Sequence, residues 1–419
     1  MNIFAIIILA AILLEYALQL AADYFNLKTL RAEVPKEFAG VYNEAAYGKS
    51  QAYTKTNTTF GIFTATVNLA VILTFWFSGG FNYIDVIVRR WNFGFLWTGL
   101  LFIGLLMLLK SILSLPFSIY STFVIEERFG FNKTTVKTFA SDLIKGLILA
   151  VVLGGPLAAA ILAFFSFAGP LAWFYCWIAT AVFILLVQFI APTWIMPLFN
   201  KFTPLGDGEL RTAILDYARS VSFPLKGIFV MDGSKRSGKS NAFFTGFGKN
   251  KRIALFDTLI AKHTVAELVA VLAHEIGHYK KKHIVQSIVI SIAHMGLMFF
   301  LLSFFITTRG LFDAFYMQDI SVYAGLIFFG MLYSPIELIL SLAMHLLSRK
   351  NEYEADRFAA DTIQRPESMI DALKKLSVDN LSNLTPHPFY VFLNYSHPPV
   401  LQRIQAIRQP VAVTDTTHD

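Results

Sequence analysis

The sequence predicts an all-α polytopic membrane protein that carries a small α+β unit facing water. Of its 419 residues, 55% are hydrophobic and only 15% are charged, whereas soluble domains carry about 25% charged residues. Seven apolar runs each come close to the ~20 residues that a helix needs to cross ~30 Å of hydrocarbon. Between the fifth and sixth runs, residues 192–283 return to mixed charge and contain strand-like segments.

The seven predicted membrane helices are Ile3–Ala22, Phe60–Phe77, Phe95–Ser118, Leu143–Phe165, Leu171–Ile190, Ile284–Thr307 and Val322–Leu347. The first run lacks a basic leader and a clean cleavage site, so we expect a retained helix rather than a signal peptide. The polar segments 23–59 and 119–142 are predicted to be loops outside the membrane.

This pattern divides the chain into four segments. Residues 1–191 hold the first five membrane helices, and 192–283 form the α+β unit. Residues 284–347 hold the last two membrane helices. Residues 348–419 form a helical C-terminal segment with a tail, Val411–Asp419, that is predicted to be disordered.

Charge predicts the orientation. Seven spans place the two termini on opposite sides of the bilayer. Lys and Arg are concentrated in the loops on the side of residues 192–283, so the positive-inside bias places this unit and the C-terminus in the cytoplasm. We attribute the net charge of +7 to Lys and Arg residues that lie next to anionic lipid at that surface. The sequence contains no basic stripe with interleaved aromatic residues, so we expect no nucleic-acid partner.

A short motif in the α+β unit predicts a metal site. His274-Glu275-Ile276-Gly277-His278 reads H-E-x-x-H within a predicted helix, 262–282. The two histidines lie one turn apart on one face and can bind one zinc ion, while Glu275 can take a proton from zinc-bound water. The alternative is two ordinary surface histidines. Gly277 argues against it, because a mid-helix glycine costs about 1 kcal/mol relative to alanine and suggests that another group packs close to the backbone.

The third ligand of a catalytic zinc is predicted just after the seventh span. Glu352 and Asp356 share one helical face. We expect Glu352 to bind the metal and Asp356 to hold the second nitrogen of a ligand histidine. Glu354 lies about 200° around the helix from Glu352 and is excluded as a ligand. The alternative is a solvated acidic face, but this run and the H-E-x-x-H run both adjoin a membrane span at the same surface.

A second motif imitates a nucleotide site. Residues 233–240 fit the phosphate-binding pattern G-x-x-x-x-G-K-S, in which a helix must follow the loop. Here Ser240 is followed by an aromatic and glycine-rich segment, and Ala242–Phe247 is predicted to be a strand. Gly227–Met231 and Arg252–Phe256 are predicted as the other strands. We therefore expect a basic loop and no ATP.

Several motifs in order give the chain a family resemblance. It resembles the type I CAAX prenyl proteases, seven-span zinc metalloproteases of the endoplasmic reticulum with bacterial relatives. The matching stretches are Phe123–Glu127, Gly130–Asn132, Pro197–Leu205, Asp232–Ser237, Ser240–Ala242, His274–His278, Glu352–Asp356 and Ser396–Pro399.

The resemblance implies one Zn²⁺ ion held by His274, His278 and Glu352, with Glu275 as the catalytic base and His397 stabilising the oxyanion. It also implies substrate or transition-state contacts from Asn241 and Arg403, and a water-filled chamber enclosed by the seven helices. The implied substrate is a CAAX-type prenylated peptide or a membrane-associated protein.

Gly238-Lys239 and the lack of an evident C-terminal retrieval signal depart from the family pattern. They favour a bacterial inner-membrane member acting in membrane-protein quality control without prenyl dependence. The endoplasmic reticulum membrane is expected if the protein is eukaryotic. A rival from another class is a transporter or channel with a structural zinc ion, in which Glu15, Lys110 and Glu337 would mark a conduction path. Glu275 argues against this rival, because a structural site needs no such carboxylate.

Overall fold

The computed structural model of the protein describes residues 1–31, 33–245 and 251–409. Within these ranges, seven helical segments are long and apolar enough to cross a membrane, which confirms the predicted number of spans. No more than 17% of the most apolar window of any span is buried against protein. The implied chamber stays a prediction, and the predicted tail 411–419 lies outside the described residues.

The first half of the chain is helical. The first seven helices are α1 (Ile3–Lys28), α2 (Glu44–Phe77), α3 (Gly80–Arg90), α4 (Phe95–Tyr120), α5 (Val136–Leu149), α6 (Gly155–Phe167) and α7 (Ala172–Ile190). π-helical turns at Ser121–Glu126, Ala150–Gly154 and Ala191–Ile195 extend α4, join α5 to α6, and join α7 to the short α8 (Met196–Phe199).

The prediction of loops at 23–59 and 119–142 is wrong for much of their length. Helix α2 begins at Glu44, where the Asn43 side chain accepts a hydrogen bond from the amide of Ala46. Tyr47, Ser50 and Gln51 are buried on one face of its polar first turns. Hydropathy detects only the part of a helix that lies in lipid, so a membrane helix that continues into water looks like a polar loop.

The water-facing unit contains a four-stranded sheet of order β1-β2-β4-β3, which confirms the small α+β unit. Its strands are β1 (Phe202–Pro204), β2 (Leu225–Met231), β3 (Ala242–Thr245) and β4 (Lys251–Phe256). Strand β4 runs parallel to β2 and antiparallel to β3, so β3 is an edge strand. The three-residue β1 was not predicted, and the predicted end of β3, Phe247, lies outside the described residues.

The remaining helices assemble around this sheet and the last two spans. They are α9 (Glu209–Ser220), α10 (Asp257–Ile260), α11 (Val265–Lys280), α12 (His283–Phe305), α13 (Arg309–Asp313), α14 (Val322–Thr362), α15 (Glu367–Asp379), α16 (Pro388–Asn394) and α17 (Val400–Arg408). One core lies among the sheet, α9, α11, α15 and the end of α14, and another joins the membrane helices around Trp76, Phe102 and Phe328.

Helix α14 links the membrane to the water-facing unit. It runs for 41 residues, so the seventh span continues without interruption to Thr362. It crosses α11 at Gly277, where an added Cβ atom would lie 3.0 Å from both the Cα and the carbonyl oxygen of Ala355. The expectation that another group packs against the backbone of Gly277 is therefore confirmed.

The segment that imitates a nucleotide site joins the sheet to the membrane helices. Ser240 is followed by β3 and not by a helix, as predicted. The Lys239 ammonium lies 2.8 Å from the hydroxyl of Tyr53 on α2 and 3.0 Å from the carboxylate of Glu126. The lysine that would reach a nucleotide phosphate in a true phosphate loop is instead paired within the protein.

Candidate metal centre and active-site cavity

Helix α11 presents the H-E-x-x-H motif. Its start is fixed by a capping box, in which the Thr264 hydroxyl accepts from the Glu267 amide and the Glu267 carboxylate accepts from the Thr264 amide. Leu268, Leu272 and Ile276 anchor it in the core. His274 and His278 consequently project one turn apart on one face, with their Nε2 atoms 3.2 Å apart.

Glu352 completes a three-residue cluster from α14. Its Oε2 atom lies 3.4 Å from His274 Nε2, and its Oε1 atom lies 3.2 Å from His278 Nε2. Tetrahedral ligand atoms at about 2.0–2.1 Å from a metal stand ~3.3–3.4 Å from one another, so these separations fit one divalent ion. Glu352 is 3% exposed, and its Oε2 atom has no hydrogen bond within the described residues. A buried carboxylate oxygen without a hydrogen-bond partner is available as a ligand atom for a metal ion.

His274 is oriented from behind. Its Nδ1 atom lies 2.8 Å from Asp356 Oδ1, which is the contact predicted from the sequence. Arg403 of α17 forms a bidentate pair with Asp356 at 2.7 and 2.6 Å. Burial alone would lower the pKa of His274, but the carboxylates of Asp356 and Glu352 raise it to about 9. A metal ion would compete with that proton for Nε2.

Six of the eight predicted site residues, all but His278 and Asp356, line one small cavity of about 140 Å³. Asn241, His274, Glu275, Glu352, His397 and Arg403 all contribute to its wall. The His397 Nε2 atom lies 3.2 Å from Glu352 Oε1, and its side chain is 63% exposed. Asn241 stands directly before the edge strand β3 and is exposed. Residues from four separate parts of the chain thus meet at one point.

Glu275 and Arg403 differ in their surroundings. Burial raises the pKa of Glu275, and the nearby imidazoles of His274 and His278 act against this rise. Glu275 therefore holds a proton more readily than a carboxylate in water.

Arg403 forms its bidentate pair with Asp356. Its position therefore favours a role in orienting that carboxylate over direct contact with a substrate.

Sequence reasoning missed His283 and the contact that it makes with Glu354. His283, the first residue of α12, places Nδ1 3.1 Å from Nδ1 of His278. Its Nε2 atom lies 3.1 Å from Glu354 Oε2. The third histidine in H-E-x-x-H-x-x-x-x-H was a signal for His283. The sequence carried no comparable signal for Glu354, because its partner lies 71 residues away.

Comparisons with known proteins identify the family of this chain. Residues 23–201 match the CAAX prenyl protease N-terminal family of five membrane helices, and residues 204–411 match peptidase family M48. The chain is 38% identical to a CAAX prenyl protease 1 homolog of Oryza sativa over 96% of each chain. It is 37% identical to CAAX prenyl protease 1 of Saccharomyces cerevisiae over 91% of this chain and 89% of that protein.

The chain belongs to the CAAX prenyl protease family of M48 peptidases. The crystal structure of S. mikatae Ste24p superposes with a TM-score of 0.90 at 36% identity, covering 97% of this chain and 99% of that one. A CAAX prenyl protease family member with seven membrane-capable helices is a multi-pass membrane metalloprotease. Membership in a peptidase family sets aside the transporter or channel interpretation.

Proposed function

We propose that this metalloprotease uses Zn²⁺ held by His274, His278 and Glu352. Two imidazoles and one carboxylate form a donor set typical of catalytic zinc, which keeps a fourth position open. One observation carries the proposal. The cavity that exposes the proposed ligands His274 and Glu352 is also lined by Asn241, Glu275 and His397. Zinc would supply Lewis-acid polarisation of the substrate carbonyl.

Glu275 is proposed as the general base. It lies on the cavity wall beside His274, and its partly desolvated carboxylate can accept a proton from the attacking water. His397 lines the same cavity, and its side chain is 63% exposed, whereas those of His274 and Arg403 are 10% and 12% exposed. It is proposed to donate a hydrogen bond to the oxyanion that develops on the scissile carbonyl.

The substrate is proposed to bind as an extended strand beside β3. Strand β3 pairs with β4 on one side and ends the sheet on the other, so its outer edge can accept an added strand. Asn241 immediately precedes this strand and lines the cavity. An added strand would therefore pass its backbone in front of the metal ligands, with Asn241 contacting it.

Names of the relatives support a prenylated substrate. We infer that the substrate is a peptide or protein ending in a C-a-a-X sequence with a prenylated cysteine. The alternative is proteolysis of membrane-associated proteins without prenyl dependence. Neither nucleic acid nor ATP is proposed as a partner. The loops rich in Lys and Arg support a cytoplasmic catalytic unit. The four-segment division, the bacterial inner-membrane location and the alternative endoplasmic reticulum location stay predictions.

Cleavage of matched peptides tests this proposal. The full-length protein, purified with Zn²⁺, would be given one C-a-a-X peptide with and without a farnesyl group, with Glu275→Gln as the inactive control. We expect the farnesylated peptide to be cleaved preferentially and a chelator to stop the reaction. Equal cleavage of both peptides would favour the quality-control alternative. No cleavage of either peptide by the zinc-loaded protein would contradict the proposal.

A further inference from the structure

The two proposed histidine ligands are supported from behind by different groups. His274 contacts Asp356, which is held by Arg403. The corresponding nitrogen of His278, Nδ1, has no carboxylate partner among the described residues; its hydrogen-bond partner is the imidazole of His283 at 3.1 Å. His283 in turn contacts Glu354. The contacts therefore run from His278 in the three-residue cluster through His283 to Glu354 on α14.

The fold holds this chain in place. His283 is 5% exposed and begins α12 directly after Lys282. Lys282 has a φ of 61°, in the left-handed region that non-glycine residues rarely adopt. This turn between α11 and α12 brings His283 back beside His278. Across the interface, the Asn351 amide donates to Gln286 at 3.1 Å and so joins α12 to α14 one residue before Glu352.

Hydrogen-bond chemistry allows one consistent arrangement when a metal occupies His278 Nε2. His278 Nδ1 must then carry the hydrogen and donate it to His283 Nδ1. His283 Nδ1 is consequently an acceptor, so the hydrogen of that neutral ring lies on Nε2 and is donated to Glu354. The Glu354 carboxylate can only accept, and it therefore selects the tautomer that makes His283 an acceptor for His278.

We propose that His283 and Glu354 are positioning residues that set the tautomer and ring orientation of His278 for metal binding. This inference rests on the proposed zinc site. It assigns Glu354 a function although the carboxylate is not a ligand. Glu354 also has an exposed partner, Lys350, at 3.7 Å, so a simple surface ion pair is the competing explanation.

Zinc affinity tests the proposal independently of activity. Full-length protein would be stripped of metal and titrated with Zn²⁺ against a competing fluorescent chelator. Removal of an outer hydrogen-bond partner costs about 10–100-fold in metal affinity, and we expect a loss of this order for His283→Ala. His283→Asn keeps an oxygen acceptor near the position of Nδ1 and should recover most of the affinity. Glu354→Ala should weaken Zn²⁺ binding in the same direction, whereas the control Lys350→Ala should not.

The double variant separates a relay from two independent packing effects. In a relay, Glu354 acts through His283, so His283→Ala combined with Glu354→Ala should bind Zn²⁺ no more weakly than His283→Ala alone. Additive losses, unchanged affinity in His283→Ala and Glu354→Ala, or an equal loss in Lys350→Ala would each overturn the inference. If the wild-type protein itself failed to bind Zn²⁺, the proposed function would fall and this inference with it.

Discussion

Replacing Gly277 with alanine tests whether the crossing of α11 and α14 positions the proposed metal ligands. The new methyl group would lie 3.0 Å from the Cα and carbonyl oxygen of Ala355 and 3.3 Å from the Cβ of Phe358. Two of these contacts are backbone atoms, which cannot rotate away. The helices would have to separate by a few tenths of an ångström, and they carry His278 and Glu352 close to the point of contact.

The expected magnitude follows from two opposing terms. Overpacking a close contact costs about 1–3 kcal/mol, while alanine in a helix gains about 1 kcal/mol over glycine. We therefore expect a net loss of about 1 kcal/mol for Gly277→Ala, with a fall in Tm on the order of 1–2 °C for a chain of this size. Displaced ligands should also weaken Zn²⁺ binding by about tenfold.

Gly48→Ala is the matched control. Gly48 lies in the water-exposed start of α2, and an added Cβ there would meet nothing within 4 Å. This variant should gain stability, by up to about 1 kcal/mol, and should keep its zinc affinity. Thermal unfolding and chelator competition would be measured for both proteins. If Gly277→Ala stabilised the protein as much as Gly48→Ala and bound Zn²⁺ normally, the proposed role of the helix crossing would be refuted.

Four further predictions concern the site, the loop and the topology. Glu275→Gln should retain zinc but lose about 10²–10⁴-fold in turnover; near-normal turnover in the zinc-loaded variant would contradict its role as base. After purification in the same zinc-replete buffer, Glu352→Ala should lack zinc, whereas Glu354→Ala, which keeps all three proposed ligands, should retain it; metal analysis showing the reverse would exclude Glu352 as the ligand. Lys239→Ala should cleave peptide without ATP, and an ATP-dependent activity abolished by this change would show a working nucleotide site. Reporter fusions after Lys282 and at the C-terminus should both read as cytoplasmic, and a readout from the other side at either position would overturn the orientation.

Sequence reasoning succeeded where one physical constraint acts locally. A bilayer demands apolar helices of a certain length, so the seven spans were predictable from composition alone. The same signal could not reveal that α2 begins at Glu44, because its first turns are polar and are held by packing against other elements. Helix length outside the bilayer is decided by tertiary contacts that hydropathy does not record.

The proximity of His274, His278 and Glu352 was predictable for a similar reason. A spacing of four residues places His274 and His278 on one face, and helical phase separates Glu352 from Glu354. The partners of His283 and Lys239 were not predictable in this way, because those contacts join segments far apart in the sequence. The structure brings Glu354 and Tyr53 to them only after the helices have packed.

The origin of the site in separate segments has a consequence for how the protein is made. Translation produces His274 and His278 first, then Glu352 and Asp356 after two further membrane helices, and Arg403 last of these residues. The 1% exposed carboxylate of Asp356 takes its bidentate partner from α17. A nascent chain released before α17 would hold the three proposed metal ligands but lack the arginine that neutralises the buried carboxylate behind His274. The buried pair behind His274 is thus complete only once α17 has been synthesised, and a truncation that removes α17 should leave the Asp356 carboxylate without its bidentate partner.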